Sequence, residues 1–232
     1  MIIAIMQPYF FPYIGYFQLM HAVDVFVFYD DVQFIKNGWI NRNRILVGDR
    51  PSWLTLPVKR DGHHTDRINQ RRYALDEGVE SVRAKLRSSY SHACGFEETY
   101  TFVDSVLHFP SANVALFNVN LLRCTARSLG LDCRFATSSE VAGSEGLHGE
   151  ARVIKLCRTL GAHQYINAIG GLGLYDPQHF AEAGLGLSFL RTSVPPQPLR
   201  DGPAHLSILD GMFRESPARI VDKLDRYELI PG

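Results

Sequence analysis

The chain has 232 residues, 46% of them apolar and 21% charged, with 24 basic and 24 acidic side chains and no formal net charge. That composition supports one packed globular unit and excludes disorder, and a neutral chain has no overall field to draw it to DNA or to an anionic membrane. The opening run Ile2 to Met6 is too short for a membrane span and lacks the basic leader of a signal peptide, so a cytoplasmic location is expected.

Ile2 to Met6 reads as a strand covered on both faces, bounded by Gln7-Pro8. Tyr13 to Val23 carries apolar residues near helical spacing, and Val25 to Tyr29 is rich in β-branched and aromatic residues. Strand, helix, strand within about thirty residues is a βαβ unit with parallel strands. Trp53 to Val58 reads as a third strand, with Pro57 near its end, and the polar stretch Asp61 to Asn69 as a surface loop. Residues 76–130 repeat apolar positions at helical spacing and form a helical insertion that Gly130 closes. Cys133 to Ala136 returns to strand, Glu150 to Leu160 is an amphipathic helix ended by Gly161, and Gln164 to Ala168 is a strand running into Gly170-Gly171. A short helix over Gln178 to Ala183 and a last strand over Leu185 to Leu190 follow, then a proline-stiffened connector and a C-terminal helix near Leu206 to Asp210. Alternating strands and helices of this kind make a mostly parallel, Rossmann-like α/β sheet, with residues 1–232 as one domain.

Cys94, Cys124, Cys133 and Cys157 form no CxxC pair and have no histidines at zinc-ligand spacing, so no metal site is expected and buried free thiols explain them. Of the four, only Cys94 has a nucleophile reading, and no oriented partner accompanies it.

The candidate site lies between the first strand and the first helix, because open α/β sheets bind ligands at the carboxyl ends of their strands. Gln7 opens that loop. Phe10, Phe11 and Phe17 suit the core, while Tyr9, Tyr13 and Tyr16 carry a ring to stack on a base or sugar and a hydroxyl to hydrogen-bond. The second strand ends in Tyr29-Asp30-Asp31-Val32-Gln33. Neighbouring acids in a strand face opposite ways, so one carboxylate can aim into a pocket, and Asp31 is favoured over Asp30 as base, metal ligand or clamp on sugar hydroxyls. Trp39 and the donor-rich run Asn41, Arg42, Asn43, Arg44 follow. Arginine forks bind phosphate bidentately, though the same residues also suit a solvated edge strand. Gly170 and Gly171 let backbone approach a phosphate, without being a dinucleotide fingerprint or a P-loop. His63 and His64 are further candidates for a base in the loop. No Ser-His-Asp arrangement, GxSxG elbow or HExxH pair is present.

Met6-Gln7-Pro8-Tyr9-Phe10-Phe11-Pro12-Tyr13-Ile14-Gly15-Tyr16-Phe17-Gln18-Leu19, Phe28 to Phe34 and Gly38 to Arg44 together resemble the signature of the WbqC-like family. The likeness continues through Trp53 to Lys59, Ser138-Ser139-Glu140, Gly161 to Tyr175 and Leu206 to Asp210, nearly the whole chain. It implies a role in bacterial surface polysaccharide, O-antigen type, or specialised-metabolite biosynthesis. The activity most consistent with it is acyl or aminoacyl transfer onto a nucleotide-linked amino sugar or similar amine. No tightly bound cofactor is expected. An acyl thioester or an aminoacyl-tRNA would be the co-substrate, with a carrier protein or tRNA as donor partner. In this reading Gln7, Tyr9, Tyr13, Tyr16, Gln33, Trp39, Asn41 to Arg44 and Gly170-Gly171 bind substrate, Asp31 or Asp30 deprotonates the amine, and Lys59 neutralises negative charge. The loop-helix-strand order also looks like the nucleotidylyltransferase superfamily, but Pro12 to Tyr16 lacks the phosphate-holding histidine of that group. A nucleotidyl-transfer enzyme using a nucleoside triphosphate and magnesium, and a non-catalytic binding module, are the alternatives.

Overall fold

A computed structural model describes residues 1–199 and 202–232. It is α/β, with a six-stranded sheet in the order β5-β2-β1-β6-β7-β8, in which β1 (Ile2–Met6), β2 (Val25–Phe28), β5 (Arg134–Thr137), β6 (Gln164–Ala168) and β7 (Gly186–Thr192) are mutually parallel and β8 (Tyr227–Pro231) is antiparallel. The Rossmann-like expectation holds.

Strand alternation sorts the core into two layers. Ile3 and Ile5 of β1, Val25 and Val27 of β2 and Tyr165 of β6 face one side, against Val153, Leu156 and Cys157 of α5 (Gly149–Thr159) and Phe180 of α6 (Pro177–Glu182). Ala4, Phe26, Phe28 and Ile166 face the other, against α1 (Ile14–His21) and the helices α2 (Leu75–Tyr90), α3 (Phe96–Leu107) and α4 (Val114–Ser128). Because both faces are covered, β1 and β2 are apolar at every position, which is why Ile2 to Met6 is legible as a buried strand. The three helices α2 to α4 occupy the region read as a helical insertion, and their buried residues belong to the same core cluster as α1.

The segment around Arg42 and Trp53 forms a separate antiparallel pair, β3 (Arg42–Val47) with β4 (Arg50–Thr55), hinged at Gly48 with φ 59°, a conformation glycine adopts without penalty. Two helices near the C-terminus, α7 (Ile208–Arg214) and α8 (Pro217–Asp222), follow the connector. Two expectations need correction. The strand over Leu185 to Leu190 is not the last, since β8 pairs with it at the sheet edge; and of the four free thiols only Cys157 is buried, Cys94 being exposed and Cys124 and Cys133 half-buried. Burial pushes the Cys133 thiol up to about 11 and that of Cys157 to about 12, so neither is a nucleophile near neutral pH. No described helix is long and apolar enough to cross a membrane.

Candidate functional site

The chain runs from β1 to β2 on one side of the sheet, whereas β6 pairs with β1 on the other. Between the carboxyl ends of β1 and β6 the direction of winding therefore reverses, the position at which open α/β sheets bind ligands. A cleft of about 890 Å³ lies there, within the range of small-molecule sites.

Its first wall is the loop after β1. Four side-chain donors hold the loop's carbonyls: Tyr16 Oη donates to that of Gln7 at 2.8 Å, Asn118 Nδ2 to that of Pro8 at 2.8 Å, Asn43 Nδ2 to that of Phe10 at 3.2 Å, and Ser207 Oγ to that of Phe11 at 2.7 Å. Phe10 and Phe11 are fully buried, their rings packed edge to face with centroids 5.0 Å apart. Phe11 has φ 39°, a left-handed conformation that costs a side-chain-bearing residue about 1–2 kcal/mol and is retained because its anchored ring and carbonyl leave no alternative. The loop thus presents Gln7, Tyr9 and Tyr13 to the cleft. Burial, with the neighbouring Tyr13 as a smaller cause for Tyr9, raises the phenols of Tyr9 and Tyr13 above their ordinary value, so both act as neutral hydroxyls.

The second wall carries the cation. Arg44 lines the cleft with Trp39 and His205, its guanidinium 5.5 Å from the Trp39 ring centroid, and its buried Nε has no partner among the described residues. His205 packs against Tyr13 at 5.2 Å between ring centroids. Burial first, and then the charge of Arg44, lower the His205 pKa from its ordinary value, so the imidazole is neutral at pH 7 with a lone pair to accept a proton. The third wall comes from Asn167 at the end of β6, Gly170 and Gly171 in the turn after it, Tyr175, and Glu150 at the start of α5. Asn167 Oδ1 accepts from the backbone of Ala168 at 2.8 Å, and its amide lies so close to Gly171 that a Cβ there would stand 2.4 Å from Nδ2. Glu150 accepts from His179 at 2.5 Å, which raises the His179 pKa.

Of the residues singled out from sequence, Gln7, Tyr9, Tyr13, Trp39, Asn43, Arg44, Gly170 and Gly171 meet in this cleft. The others lie elsewhere. Tyr16 is buried behind the loop it anchors, and Asn41 holds the Leu56 carbonyl at 3.0 Å. Gln33 donates to His64 at 3.0 Å, and Arg42 binds the carbonyls of Asn37 and Gly38 while stacking 4.0 Å above Trp53. Asp30 is buried under Ser138, Ser139 and Asn69, a knot that ties the end of β2 to two neighbouring turns. Asp31, expected as the base, is not among the residues that line the cleft and pairs with Arg152 of α5, accepting also from Ser138 at 2.6 Å. Burial alone would raise its pKa, but the hydrogen bonds from Arg152 and Ser138 and the arginine charge outweigh that and hold it below the usual carboxylate range. A carboxylate so engaged is a poor proton acceptor. Lys59 is exposed and outside the cleft, as are His63 and His64.

The geometry of loop, arginine and turn coincides with a match to known sequences. The model of the WbqC-like protein family covers residues 7–222. The chain belongs to the WbqC-like family. Within that span fall every cleft residue from Gln7 to His205. The uncharacterized protein Rv1507c of Mycobacterium tuberculosis is 30% identical over 191 residues, which cover 81% of this chain and 80% of that protein. No solved structure matches the chain significantly. Tyr29, Glu150, Asn167, Tyr175 and His205 join this WbqC-like cleft without having stood out in the sequence. Asn167 had a usable signal, a polar residue ending an apolar strand three positions before a glycine pair; His205 had none.

Proposed function

We propose that this WbqC-like protein is a transferase that acts on a nucleotide-linked or phosphorylated substrate and moves an acyl or aminoacyl group onto its amine. The carrying observation is Arg44, which lines the cleft at the topological switch point of the sheet with a buried Nε that has no partner among the described residues, beside the neutral imidazole of His205. A guanidinium fork in a partly desolvated cleft is suited to phosphate, and Trp39, Tyr9 and Tyr13 offer rings and hydroxyls to a sugar or base. The neutral amine attacks the acyl carbon and gives its proton to His205; collapse of the adduct breaks the thioester or aminoacyl ester bond, and the departing thiolate or tRNA hydroxyl oxygen takes that proton back from the imidazolium, while Glu150, held by His179 and the Asp176 backbone, shapes the opposite wall. Asp31, Asp30 and Lys59 have no part in the step, because they lie outside the cleft. The donor is an acyl thioester or an aminoacyl-tRNA.

Purified protein incubated with amino-sugar nucleotides and either acyl thioesters or charged tRNA should yield the acylated amine by mass, and His205→Gln should slow its formation by about 10²–10⁴-fold. Pyrophosphate release from a nucleoside triphosphate in place of acylation would instead establish nucleotidyl transfer. Binding without any turnover, unaffected by His205→Gln, would establish a binding module.

A further inference from the structure

We infer that the solvent-facing side of the β3–β4 hairpin is a platform for the base of a nucleoside diphosphate, with Trp39, Trp53 and Arg42 beneath the base and Arg44 reaching its phosphates. The inference rests on the phosphate reading of the cleft and extends it to a second, contiguous subsite.

The chain has two tryptophans in 232 residues, and both lie at this one place, half-exposed at 38% and 40%. Large aromatic rings gain most when buried, so a pair of them held at the surface needs a reason beyond packing. Their centroids are 5.5 Å apart at an interplanar angle of 47°, which makes a corner: a flat ring laid on one indole meets the other. Arg42 lies 4.0 Å from the Trp53 centroid and is fixed there by the carbonyls of Asn37 and Gly38. Trp39 is fixed at its backbone, where its carbonyl accepts from Phe10 at 3.0 Å. The platform is therefore preorganised, and little ordering entropy is lost when a ligand arrives.

Its direction is set by strand register. Arg44 pairs directly with Trp53 across the hairpin, so the two side chains stand on the same face as neighbours. Trp39 belongs to both regions, since it lines the cleft and touches Trp53. A ligand with its base on the tryptophan corner thus has its phosphates at Arg44 and its remaining part inside the cleft, where Gln7, Asn167 and Glu150 supply polar groups. A nucleoside diphosphate fits that order. A run of single-stranded RNA would need successive stacking surfaces, and the hairpin offers one.

Both tryptophans being in the platform, intrinsic tryptophan fluorescence of the full chain reads this site alone. UDP, ADP and inorganic pyrophosphate would be titrated by fluorescence and calorimetry. Both nucleoside diphosphates should shift the emission and bind about tenfold more tightly than pyrophosphate, since stacking one base on an aromatic side chain has an effect of that order. Trp53→Ala should remove that advantage and leave pyrophosphate affinity unchanged, while Trp53→Phe keeps most of it. Nucleoside diphosphates binding no better than pyrophosphate, or undiminished in Trp53→Ala, would overturn the platform and leave the phosphate site standing. No binding of pyrophosphate either would overturn both. A CCA trinucleotide bound more tightly than every nucleoside diphosphate would overturn the assignment in favour of RNA.

Discussion

Asp31→Asn separates a structural carboxylate from a catalytic one. The Asp31 and Arg152 side chains are 10% and 9% exposed, and the pair ties the end of β2 to the first turns of α5. Replacing the carboxylate with a carboxamide keeps the shape and leaves a desolvated guanidinium without its counter-charge. Removing one partner of a buried pair costs about 3–5 kcal/mol. For a chain of this size each kcal/mol moves the melting temperature by about 2–4 °C, so a loss near 3 kcal/mol lowers it by roughly 6–12 °C. The urea midpoint should fall accordingly with the m-value unchanged. The pH dependence follows from the direction of the shift. Because the folded-state pKa of Asp31 lies below its ordinary 3.8, its contribution is complete above that value and is lost as pH falls through the folded pKa. Wild type should therefore lose stability in acid more steeply than Asp31→Asn. At a temperature where the variant is folded, pyrophosphate affinity should match wild type, since Asp31 does not line the cleft. A variant with unchanged stability and abolished turnover would instead establish Asp31 as the base.

Three further outcomes are expected. Arg44→Met should weaken pyrophosphate binding by about 10- to 150-fold, the range for a lost charge-assisted hydrogen bond, with calorimetry as the measurement. His205→Gln should lower kcat by about 10²–10⁴-fold; in wild type the acid limb of kcat/KM should fall below the ordinary histidine value of 6.5, because the lowered pKa keeps the base form present at more acid pH. Gly171→Ala should impair binding by displacing the Asn167 amide, whereas Gly170→Ala, whose Cβ would meet nothing within 4 Å, should bind as wild type does.

The sheet was legible where residues decide structure locally. Ile2 to Met6 and Val25 to Phe28 carry apolar runs because both faces are covered, and α5 carries the 3.6-residue pattern and a closing glycine. The strand Tyr227–Pro231 was not legible, since an edge strand with three exposed residues and a terminal proline has neither continuous apolarity nor clean alternation. The same division runs through the site. Gln7, Tyr9 and Tyr13 are neighbours in sequence and in space, and Arg44 follows closely, so their clustering could be read directly. Asp31 looked free because its partner Arg152 is 121 positions away. Arg42 and Arg44 share a face, as alternation requires, yet backbone carbonyls and an indole claim the first and leave the second to the cleft. Glu150 and His205 arrive from distant segments that only the assembled sheet brings to the mouth of β1.

A crystal soaked with a nucleotide-linked amino sugar would show where the substrate lies. Density is expected with the phosphates on Arg44 and the sugar between Tyr13, His205 and the Gly170-Gly171 turn. Density beside Asp31 and Lys59 instead, with the cleft between β1 and β6 empty, would contradict that placement.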